Sequence, residues 1–352
     1  MSTSVQALLI VFAVFVSLLS PIRQSLAGQA IAPGEWTLYK EKFLDPAGRI
    51  VDNANGGISH SEGQGYGLLL SYLAGNRGDF DRIWAFTRTE MMVRDDGLAA
   101  WKWDPAASPH ISDTNNASDG DLLIAYGLKL AGDAWHRPDL TQSATGMATA
   151  LAADSLETVG DLVLLKPGNS GFAAGDRADG PVVNPSYWVF EALPAMAELA
   201  PDGPWNELGA NGRTLLARAM KIGPSDLPPD WVSLKASPAV ADGFPQEFSY
   251  NALRIPLYLV RAGIHDRDLL EPFKSRMPDD QGHVRIVDIA TGQTRQLLAD
   301  AGYRIIPALV SCVLDGKAFP DDLKSFQPTD YYPSTLQLLA LAYARRHHPE
   351  CL

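Results

Sequence analysis

Two carboxylates, Glu62 and Asp119, stand in glycine-containing stretches that each lead directly into an apolar run. Glu62 lies within SHSEGQGYG at residues 59–67, and Asp119 lies within ASDGD at residues 117–121. Turn residues followed by apolar residues predict the start of a helix, so we expect each acid in the first turn of its own helix. Acid-catalysed hydrolysis requires carboxylic acid side chains, and these two are presented in the same way at two helix N-termini.

The residues beside both acids predict a capping box at each helix start. Ser61 would cap the first helix, with Gln64 three residues later. Ser118 would cap the second, with Asp121 as its reciprocal partner. Both pairs match the spacing at which two side chains satisfy the free backbone groups of a helix N-terminus.

Other common chemistries find no support in the sequence. Residues 63–67 resemble a dinucleotide loop, but the third glycine comes one residue early and no apolar strand precedes it. The seven histidines are scattered and form no spaced pair of the kind found in zinc hydrolases. The chain also has no P-loop and no Gly-x-Ser-x-Gly elbow. We therefore expect neither a metal nor a cofactor, which leaves the carboxylates as the reaction machinery.

Composition indicates a globular protein with a negative surface. The chain has 352 residues, of which 46% are hydrophobic and 20% charged, and its formal net charge is −12. This charge argues against nucleic acid or an anionic membrane as the main partner, and it suits a neutral or cationic ligand. No shift in composition marks a domain boundary, so we expect one catalytic domain over residues 28–352 and a monomer.

The N-terminus has the order of a secretory signal. Residues 7–20 are mainly apolar, and the small-residue site Ser25-Leu26-Ala27 follows. We expect a signal peptide over residues 1–27 and a secreted or periplasmic protein. The first six residues carry no Lys or Arg, so an uncleaved anchor is the alternative. The sequence does not decide whether Cys312 and Cys351 pair, and we favour two free thiols.

Apolar runs of helical length recur along the chain, and few segments alternate as strands do. The sequence therefore predicts a mostly helical protein. The last helix has the clearest pattern, with Ser334 as its predicted cap and Gln337 at the capping-box position. The predicted helices span residues 68–75, 79–92, 122–135, 142–158, 187–199, 213–222, 252–262 and 335–348.

Together with the stretches around Glu62 and Asp119, several further motifs resemble one known family. The chain is similar to the family 8 glycoside hydrolases and, more closely, to the endoglucanases that accompany bacterial cellulose synthesis. The segment from residue 117 to Trp135 follows the family signature closely, with Gly127 where Ser or Ala is usual. The motifs that carry the resemblance lie at residues 48–52, 59–67, 117–135, 228–231, 248–258 and 330–332.

The resemblance implies an all-α (α/α)6 barrel, with six inner and six outer helices, that hydrolyses β-1,4-glucan with inversion. It places Glu62 at the general acid and Asp119 at the aspartate that contacts the sugar at the cleavage point. It also raises the cellulose synthesis machinery as a partner. A general acid must hold its proton, so we expect Glu62 to be largely enclosed and to have another acid nearby.

The chain departs from this pattern at the base. Asn251 stands where an aspartate is usual, and an amide accepts a proton poorly. We interpret Asn251 as positioning water or sugar and leave the base open, with Glu247, Asp242 and Asp176 as loop candidates. Arg254, three residues later, would either hold a cleft carboxylate or form a structural ion pair.

Binding a glucan takes aromatic platforms beside hydrogen-bonding groups. The aromatic residues that neighbour loops, and that we expect along an extended cleft, are Trp101, Trp103, Tyr187, Tyr250, Tyr331 and Tyr332. The sequence thus predicts an endo-β-1,4-glucanase. Xylanase, lichenase or chitosanase specificity on the same barrel remains an alternative, and so does a non-catalytic glucan-binding relative, which Asn251 would suit.

Overall fold

The computed structural model describes residues 30–352, so the predicted signal peptide at residues 1–27 lies outside the described residues. None of the helices within the described range is long and apolar enough to cross a membrane. The α-helices of this part are α1 Pro33–Phe43, α2 Ser61–Leu73, α3 Arg77–Phe86, α4 Ser118–Trp135, α5 Pro138–Ala150, α6 Leu193–Leu199, α7 Trp205–Ala219, α8 Ile255–Arg261, α9 Arg267–Arg276, α10 Ala301–Asp315 and α11 Tyr331–His347.

The helices form an (α/α)6 barrel. Six of them, α2, α4, α6, α8, α10 and α11, follow one another around a ring that closes from α11 back to α2, and the 3₁₀ turn Phe190–Ala192 before α6 makes the contact to α8. The inner position of α2 and α11 explains their sequences, because both are buried on nearly all sides and carry small or apolar residues all round. The helices α1, α3, α5, α7 and α9 alternate with the ring along the chain, and a single 3₁₀ turn, Asp321–Leu323, lies between α10 and α11.

Five of the inner helices, α2, α4, α8, α10 and α11, begin at one mouth of the barrel, whereas α6 begins at the opposite end, where Glu191 just before it pairs with Arg261 at the C-terminal end of α8. Glu62 and Asp119 lie in the first turns of α2 and α4. Arg254 directly precedes α8, and Tyr303 near the start of α10 contacts Tyr332 near the start of α11. Helix N-termini carry partial positive charge, so this mouth favours anionic side chains.

Short antiparallel strands line the loops of the barrel. The pairs are β1 with β2, β3 with β4, β5 with β6, β6 with β7, β8 with β9 and β9 with β10. The first pair brings the loop that carries Trp103 against Ser59, next to the start of α2. The strands are β1 Ser59–His60, β2 Lys102–Trp103, β3 Leu156–Val159, β4 Leu162–Leu165, β5 Val182–Val183, β6 Val232–Ser233, β7 Ala239–Val240, β8 Glu247–Phe248, β9 Val284–Asp288 and β10 Thr294–Leu298.

The predicted helices exist, but several boundaries differ. The helix predicted over residues 142–158 ends earlier, and Thr158 lies in β3. The pattern also missed α1, α9 and α10. Pro194 and Pro256 occupy the first turns of α6 and α8, where the missing N–H costs no helical hydrogen bond.

All three predicted capping boxes are wrong. His60 caps α2 through its ring, while Gln64 is buried and accepts a hydrogen bond from Ile50 N–H. Ala117 precedes α4, and the hydroxyl of Ser118 donates to the Lys166 carbonyl. The last helix begins at Tyr331, ahead of the predicted Ser334.

In each case tertiary partners engage the side chain that local spacing assigned to the reciprocal position of the capping box, as for Gln64 above. Asp121 accepts from Ala99 N–H and from the Asn116 amide. Gln337 donates to the Ser325 carbonyl. Their roles are to fix neighbouring loops rather than their own helix starts.

The prediction of two free thiols is also wrong, because Cys312 and Cys351 form a disulfide. Cys312 lies in α10, and Cys351 follows α11 in a short 3₁₀ turn. The close packing of α10 on α11 brings together cysteines that are 39 residues apart in sequence. The bond fastens the C-terminus to the barrel.

We expect Cys351→Ser to lower the free energy of unfolding by roughly 2–4 kcal/mol, because the unfolded chain loses a cross-link that closes a long loop. Urea unfolding followed by circular dichroism measures this. Dithiothreitol should destabilise the wild type to a similar extent and leave the variant unchanged. Equal urea midpoints for oxidised wild type and Cys351→Ser would contradict a stabilising role.

Candidate active site

Glu62 and Asp119 lie side by side because α2 and α4 pack closely at their N-terminal ends. A Cβ at Gly120 would collide with the hydroxyl of Ser61, and a Cβ at Gly65 would press on Leu123. The glycines of both stretches therefore permit the close approach of the two helices. Asp119 is buried, and the Glu62 side chain is 17% exposed.

Arg254 joins the two acids. Its Nη1 donates to Glu62, and its Nη2 donates to Asp119 at 2.7 Å and to the Ser186 hydroxyl at 3.1 Å. The guanidinium is 2% exposed. The expectation that Glu62 is largely enclosed with another acid nearby agrees with this arrangement, and Arg254 holds both cleft carboxylates.

One cation faces two carboxyl groups in a buried setting. Burial raises the pKa of Asp119 to about 6, the Arg254 charge opposes this rise and the Glu62 charge reinforces it. Because a single guanidinium balances only one negative charge, the arrangement favours retention of one proton by the pair in mildly acidic solution. A general acid requires such a proton.

Tyrosines surround this group. Tyr187 and Tyr258 place their rings 5.7 Å and 5.9 Å from the Arg254 guanidinium. The hydroxyls of Tyr66 and Tyr258 hydrogen-bond to each other. Tyr331 is buried against His60, with ring centroids 5.5 Å apart. The walls are thus aromatic and poor in water, which strengthens the electrostatic interactions between the charges inside.

Four buried polar atoms beside the two acids have no hydrogen-bond partner among the described residues. Buried polar groups in proteins are nearly always satisfied, so a cluster of exceptions needs an explanation. These atoms expose almost no surface to the cleft, and ordered internal water is the usual partner of such enclosed groups. The atoms are Ser61 Oγ, Asn184 Nδ2, Arg254 Nε and Tyr331 Oη.

Asn251 lies three residues before Arg254, against a buried aspartate that the sequence did not single out. Asn251 Nδ2 donates to Asp230 Oδ2 at 3.3 Å. Asp230 is 5% exposed and also accepts from the backbone N–H groups of Ser249 and Ala252, each at 2.9 Å. Burial raises the pKa of Asp230 to about 6, although these hydrogen bonds lower it.

Two predicted platforms lie beside the start of α2. The Trp101 carbonyl accepts from Ser61 N–H, and its indole donates to Asp113. Trp103 packs more deeply, with its ring against Phe86 and under the Arg49 guanidinium. Of the two, Trp101 is the better placed to meet a ligand.

Two further predicted platforms, Tyr250 and Tyr332, lie on the α8, α10 and α11 side. Tyr332 donates from its hydroxyl to the Tyr250 carbonyl at 2.7 Å. Tyr303 contacts both rings. Tyr250 is 41% exposed, which is unusual for a large aromatic residue in this chain. The exposed ring and its two neighbours form a second aromatic surface at the same mouth.

Comparison with known proteins identifies the family and fold of this chain. The model of glycosyl hydrolases family 8 matches residues 13–346. The chain belongs to glycosyl hydrolase family 8. A probable endoglucanase from Novacetimonas hansenii is 35% identical over 312 residues, which cover 87% of this chain and 88% of that protein.

Two solved structures share the fold of this family 8 enzyme. A family 8 endoglucanase from Klebsiella pneumoniae superposes with a TM-score of 0.81 at 32% identity, covering 89% of this chain and all of that one. The endo-β-1,4-glucanase of Acetobacter xylinum gives a TM-score of 0.77 at 34% identity, covering 88% of this chain and 97% of that one.

Two of the three loop acids proposed as the base, Glu247 and Asp176, are engaged elsewhere in this family 8 enzyme, and the third, Asp242, is exposed. Glu247 pairs with Arg295 at 2.9 Å. Asp176 accepts three backbone N–H groups within its own loop. Asp242 is exposed, and its backbone is held by Arg177 and Asp179. None of them contacts Asn251 or Arg254 through a hydrogen bond in the described part.

A third aromatic surface was missed by the sequence reasoning. Trp231 stacks on Phe244, with centroids 4.2 Å apart, and on Phe172, with centroids 5.8 Å apart. Tyr187 connects this stack to Arg254, because its ring lies 6.0 Å from Trp231. Two long Gly- and Pro-rich segments, residues 166–186 and 223–248, supply the three stacked rings. The Gly- and Pro-rich composition of these segments, with an aromatic residue next to Asp230, could have indicated this aromatic surface.

His60 was also missed, although it adjoins the stretch that carries Glu62. Its Nδ1 accepts from Gly63 N–H at 3.0 Å, and its Nε2 lies 3.3 Å from Asp52. Burial alone would lower the pKa of His60, but the hydrogen bond to Asp52 and the charges of Glu62 and Asp119 raise it above its ordinary value. The neutral ring caps the turn that presents Glu62.

We expect His60→Ala to cost about 1 kcal/mol of stability, as loss of a helix cap does, and to lower kcat by loosening the Glu62 turn. His60→Asn should restore both, because asparagine also caps helices. Protonation of Nδ1 would remove the acceptor in wild type, so the Asn variant should keep its activity to lower pH. Thermal unfolding and pH profiles measure these effects, and equal kcat for wild type and the Ala variant would contradict them.

Proposed function

We propose that this protein is an endo-β-1,4-glucanase that cleaves internal bonds of a glucan chain with inversion at the anomeric carbon. The observation that carries the proposal is the Arg254 bridge between Glu62 and Asp119 at the open mouth of the barrel. It assembles two acids from different helices into a buried, partly charge-balanced pair. Membership of family 8 and the endoglucanase names of the relatives support this reaction.

In the proposed reaction, Glu62 protonates the leaving glycosidic oxygen. Asp119 hydrogen-bonds the sugar at the cleavage point and favours the positive charge that develops on its ring. Arg254 fixes the distance and orientation of the two carboxyl groups. Inversion requires water to attack from the opposite face, with a proton acceptor far enough from the acid to admit that water.

The aromatic surfaces support binding of a polymer at internal positions. Trp101, Tyr250 and the Trp231 stack lie in different loops around the same mouth. A flat sugar ring stacks on an aromatic face, and several separated faces suit a chain that extends beyond the cleavage point on both sides. This arrangement favours endo cleavage.

The decisive assay follows reducing ends and viscosity together while wild type acts on carboxymethylcellulose. Endo cleavage lowers viscosity steeply for few new reducing ends. Proton NMR of cello-oligosaccharide products at early times should show the α anomer first. Xylan, lichenan and chitosan serve as competing substrates, and faster cleavage of one of them would replace the glucanase assignment. A folded wild type that binds cellulose without cleaving any substrate would favour the glucan-binding alternative.

We also propose that the protein is exported to the periplasm or beyond and acts in cellulose synthesis or turnover. The Cys312–Cys351 disulfide supports export, because such bonds persist in oxidising compartments. The similarity to a probable endoglucanase of Novacetimonas hansenii is compatible with this setting. Mass spectrometry of the exported protein should find a new N-terminus at Gly28, and an intact Met1 in the mature protein would refute cleavage there.

A further inference from the structure

An inverting hydrolase needs a group that takes a proton from the attacking water, and the proposed site offers no carboxylate at the usual position. Asn251 occupies it. A neutral amide is a weak base on its own, because its oxygen carries no charge. Of the three other candidates, Glu247 and Asp176 are held in separate contacts, and none of the three hydrogen-bonds to Asn251 in the described part of the chain. To act as a base, Asn251 therefore needs a neighbouring group that accepts a proton from its amide.

Asp230 contacts Asn251 on the side away from the amide oxygen. A carboxylate only accepts hydrogen bonds, so the atom of Asn251 that faces Asp230 Oδ2 at 3.3 Å must be the NH₂ group. The Asn251 backbone N–H points to the same oxygen at 3.4 Å. This orientation leaves Oδ1 of Asn251 as the acceptor that can receive a proton from water.

Asp230 is held rigidly in this position. Its other oxygen accepts from Ser249 N–H and Ala252 N–H, both at 2.9 Å, on either side of Asn251 in sequence. The side chain is almost fully buried, so bulk water does not compete for the proton. Burial also raises the pKa of Asp230 to about 6, which makes it a stronger proton acceptor than an ordinary aspartate while leaving it ionised at neutral pH.

We propose that Asn251 and Asp230 act together as the base, with Asp230 accepting the proton through the Asn251 amide. This inference rests on the proposed function, since it supplies the missing half of an inverting hydrolysis.

The attacking water forms its bond from oxygen to the anomeric carbon and gives one proton to Asn251 Oδ1. The Asn251 NH₂ group passes one proton to Asp230 Oδ2, so the amide becomes its imidic-acid tautomer and Asp230 becomes neutral. The glycosidic bond breaks, and the leaving oxygen takes the proton of Glu62. After product release, Asp230 returns its proton to the Asn251 nitrogen, and the hydroxyl of the imidic acid releases its proton to solvent, which restores the amide. Glu62 takes up one proton from solvent.

A double-mutant cycle tests the inference, with Asp230→Asn measured in wild type and in Asn251→Asp. We expect Asp230→Asn to lower kcat about 10²-fold or more in wild type, because the amide loses its proton acceptor. In Asn251→Asp, the new carboxylate faces water directly and accepts the proton itself. The residue at position 230 then no longer has to accept a proton. In the Asn251→Asp background, Asp230→Asn should therefore lower kcat by less than about fivefold. Equal losses in both backgrounds would overturn the proposal and make Asp230 a structural residue.

Asn251→Ala covers the case in which Asp230→Asn fails to fold, because it leaves the Asp230 bonds to Ser249 and Ala252 in place. We expect Asn251→Ala to lower kcat about 10²-fold. If the double variant Asn251→Ala/Asp230→Asn folds, its kcat should be no lower than that of either single variant, because the two residues act as a unit. The proposal would be overturned if Asn251→Ala kept the wild-type kcat. It would also be overturned if the loss of kcat in the double variant equalled the product of the two single losses.

Failure of this inference differs from failure of the proposed function. A wild type that cleaves carboxymethylcellulose with the expected inversion supports the function whatever the cycle shows. A wild type without activity that Asn251→Asp activates would overturn the relay and leave Glu62 and Asp119 in their proposed roles. If neither protein cleaves a glucan, the proposed function itself fails, and the relay with it.

Discussion

Replacing Glu62 with Gln is expected to lower kcat on carboxymethylcellulose by about 10³-fold, with KM changed by less than about threefold. Glutamine has nearly the same shape, and its amide still reaches the leaving oxygen. It cannot donate a proton as a carboxylic acid does, so the departing sugar would leave as an unstable alkoxide. The loss therefore falls on the chemical step rather than on binding. Initial rates of reducing-end release measure it.

The leaving group provides a sharper test of the same role. An aryl cellobioside with an acidic phenol departs without protonation, so on that substrate the Glu62→Gln loss should shrink to about tenfold or less. An unchanged loss would show that Glu62 positions the substrate and donates no proton. Full activity of the variant on both substrates would remove Glu62 from the reaction.

Glu207→Gln is a matched control for this variant. Glu207 also lies in the first turn of a helix, α7, but its side chain is exposed and forms no ion pair with any residue in the described range 30–352. The same chemical change there should leave kcat within about twofold of wild type, as surface substitutions usually do. A comparable loss in both variants would point to a general effect on folding.

The local features of this site could be predicted from sequence, because they depend on short-range patterns. A glycine-containing turn followed by apolar residues was enough to place Glu62 and Asp119 in the first turns of two helices. The (α/α)6 barrel followed from the resemblance of motifs to family 8, which the comparisons confirm. Helical periodicity alone predicted a mostly helical chain but no closed ring.

Long-range partners could not be predicted, since spacing along the chain does not report them. Arg254 meets Glu62 across 192 positions, and Asp230 meets Asn251 across 21. The cap of α2 was misassigned for the same reason, because Asp52 from a preceding loop orients His60 for that role. The pairing of Cys312 with Cys351 depends on the packing of α10 against α11.

Arg254→Lys is expected to lower kcat/KM about 10²-fold. Lysine keeps the charge but has one point of contact, so it cannot donate to Glu62 and Asp119 together as the forked guanidinium does. The carboxyl group that loses its partner would shift, and misplacement by about 1 Å costs up to about 10²-fold in rate. Steady-state kinetics on cello-oligosaccharides measure the loss.

Arg254→Lys should also shift the pH profile of kcat/KM, because it moves a positive charge relative to the two carboxyl groups. Activity requires the proton that the acid pair retains, so it is present at low pH and lost as pH rises through the pKa of the pair. Arg254 lowers the pKa of Asp119, against the larger effect of burial. With the cation held near only one carboxyl group, the pKa of the other rises, and the alkaline limb of kcat/KM should move to higher pH.

Arg261→Lys separates this effect from a loss of stability. Arg261 is seven residues after Arg254, at the C-terminal end of α8, and it too is a buried guanidinium with a two-armed contact, at 2.6 Å and 2.7 Å to Glu191. Both substitutions should lower the free energy of unfolding, because each leaves a buried acid with a poorer partner. Only Arg254→Lys should lower kcat/KM and move the alkaline limb. If Arg261→Lys changes the folded enzyme in the same way, Arg254 acts by holding the barrel together rather than by positioning the two acids.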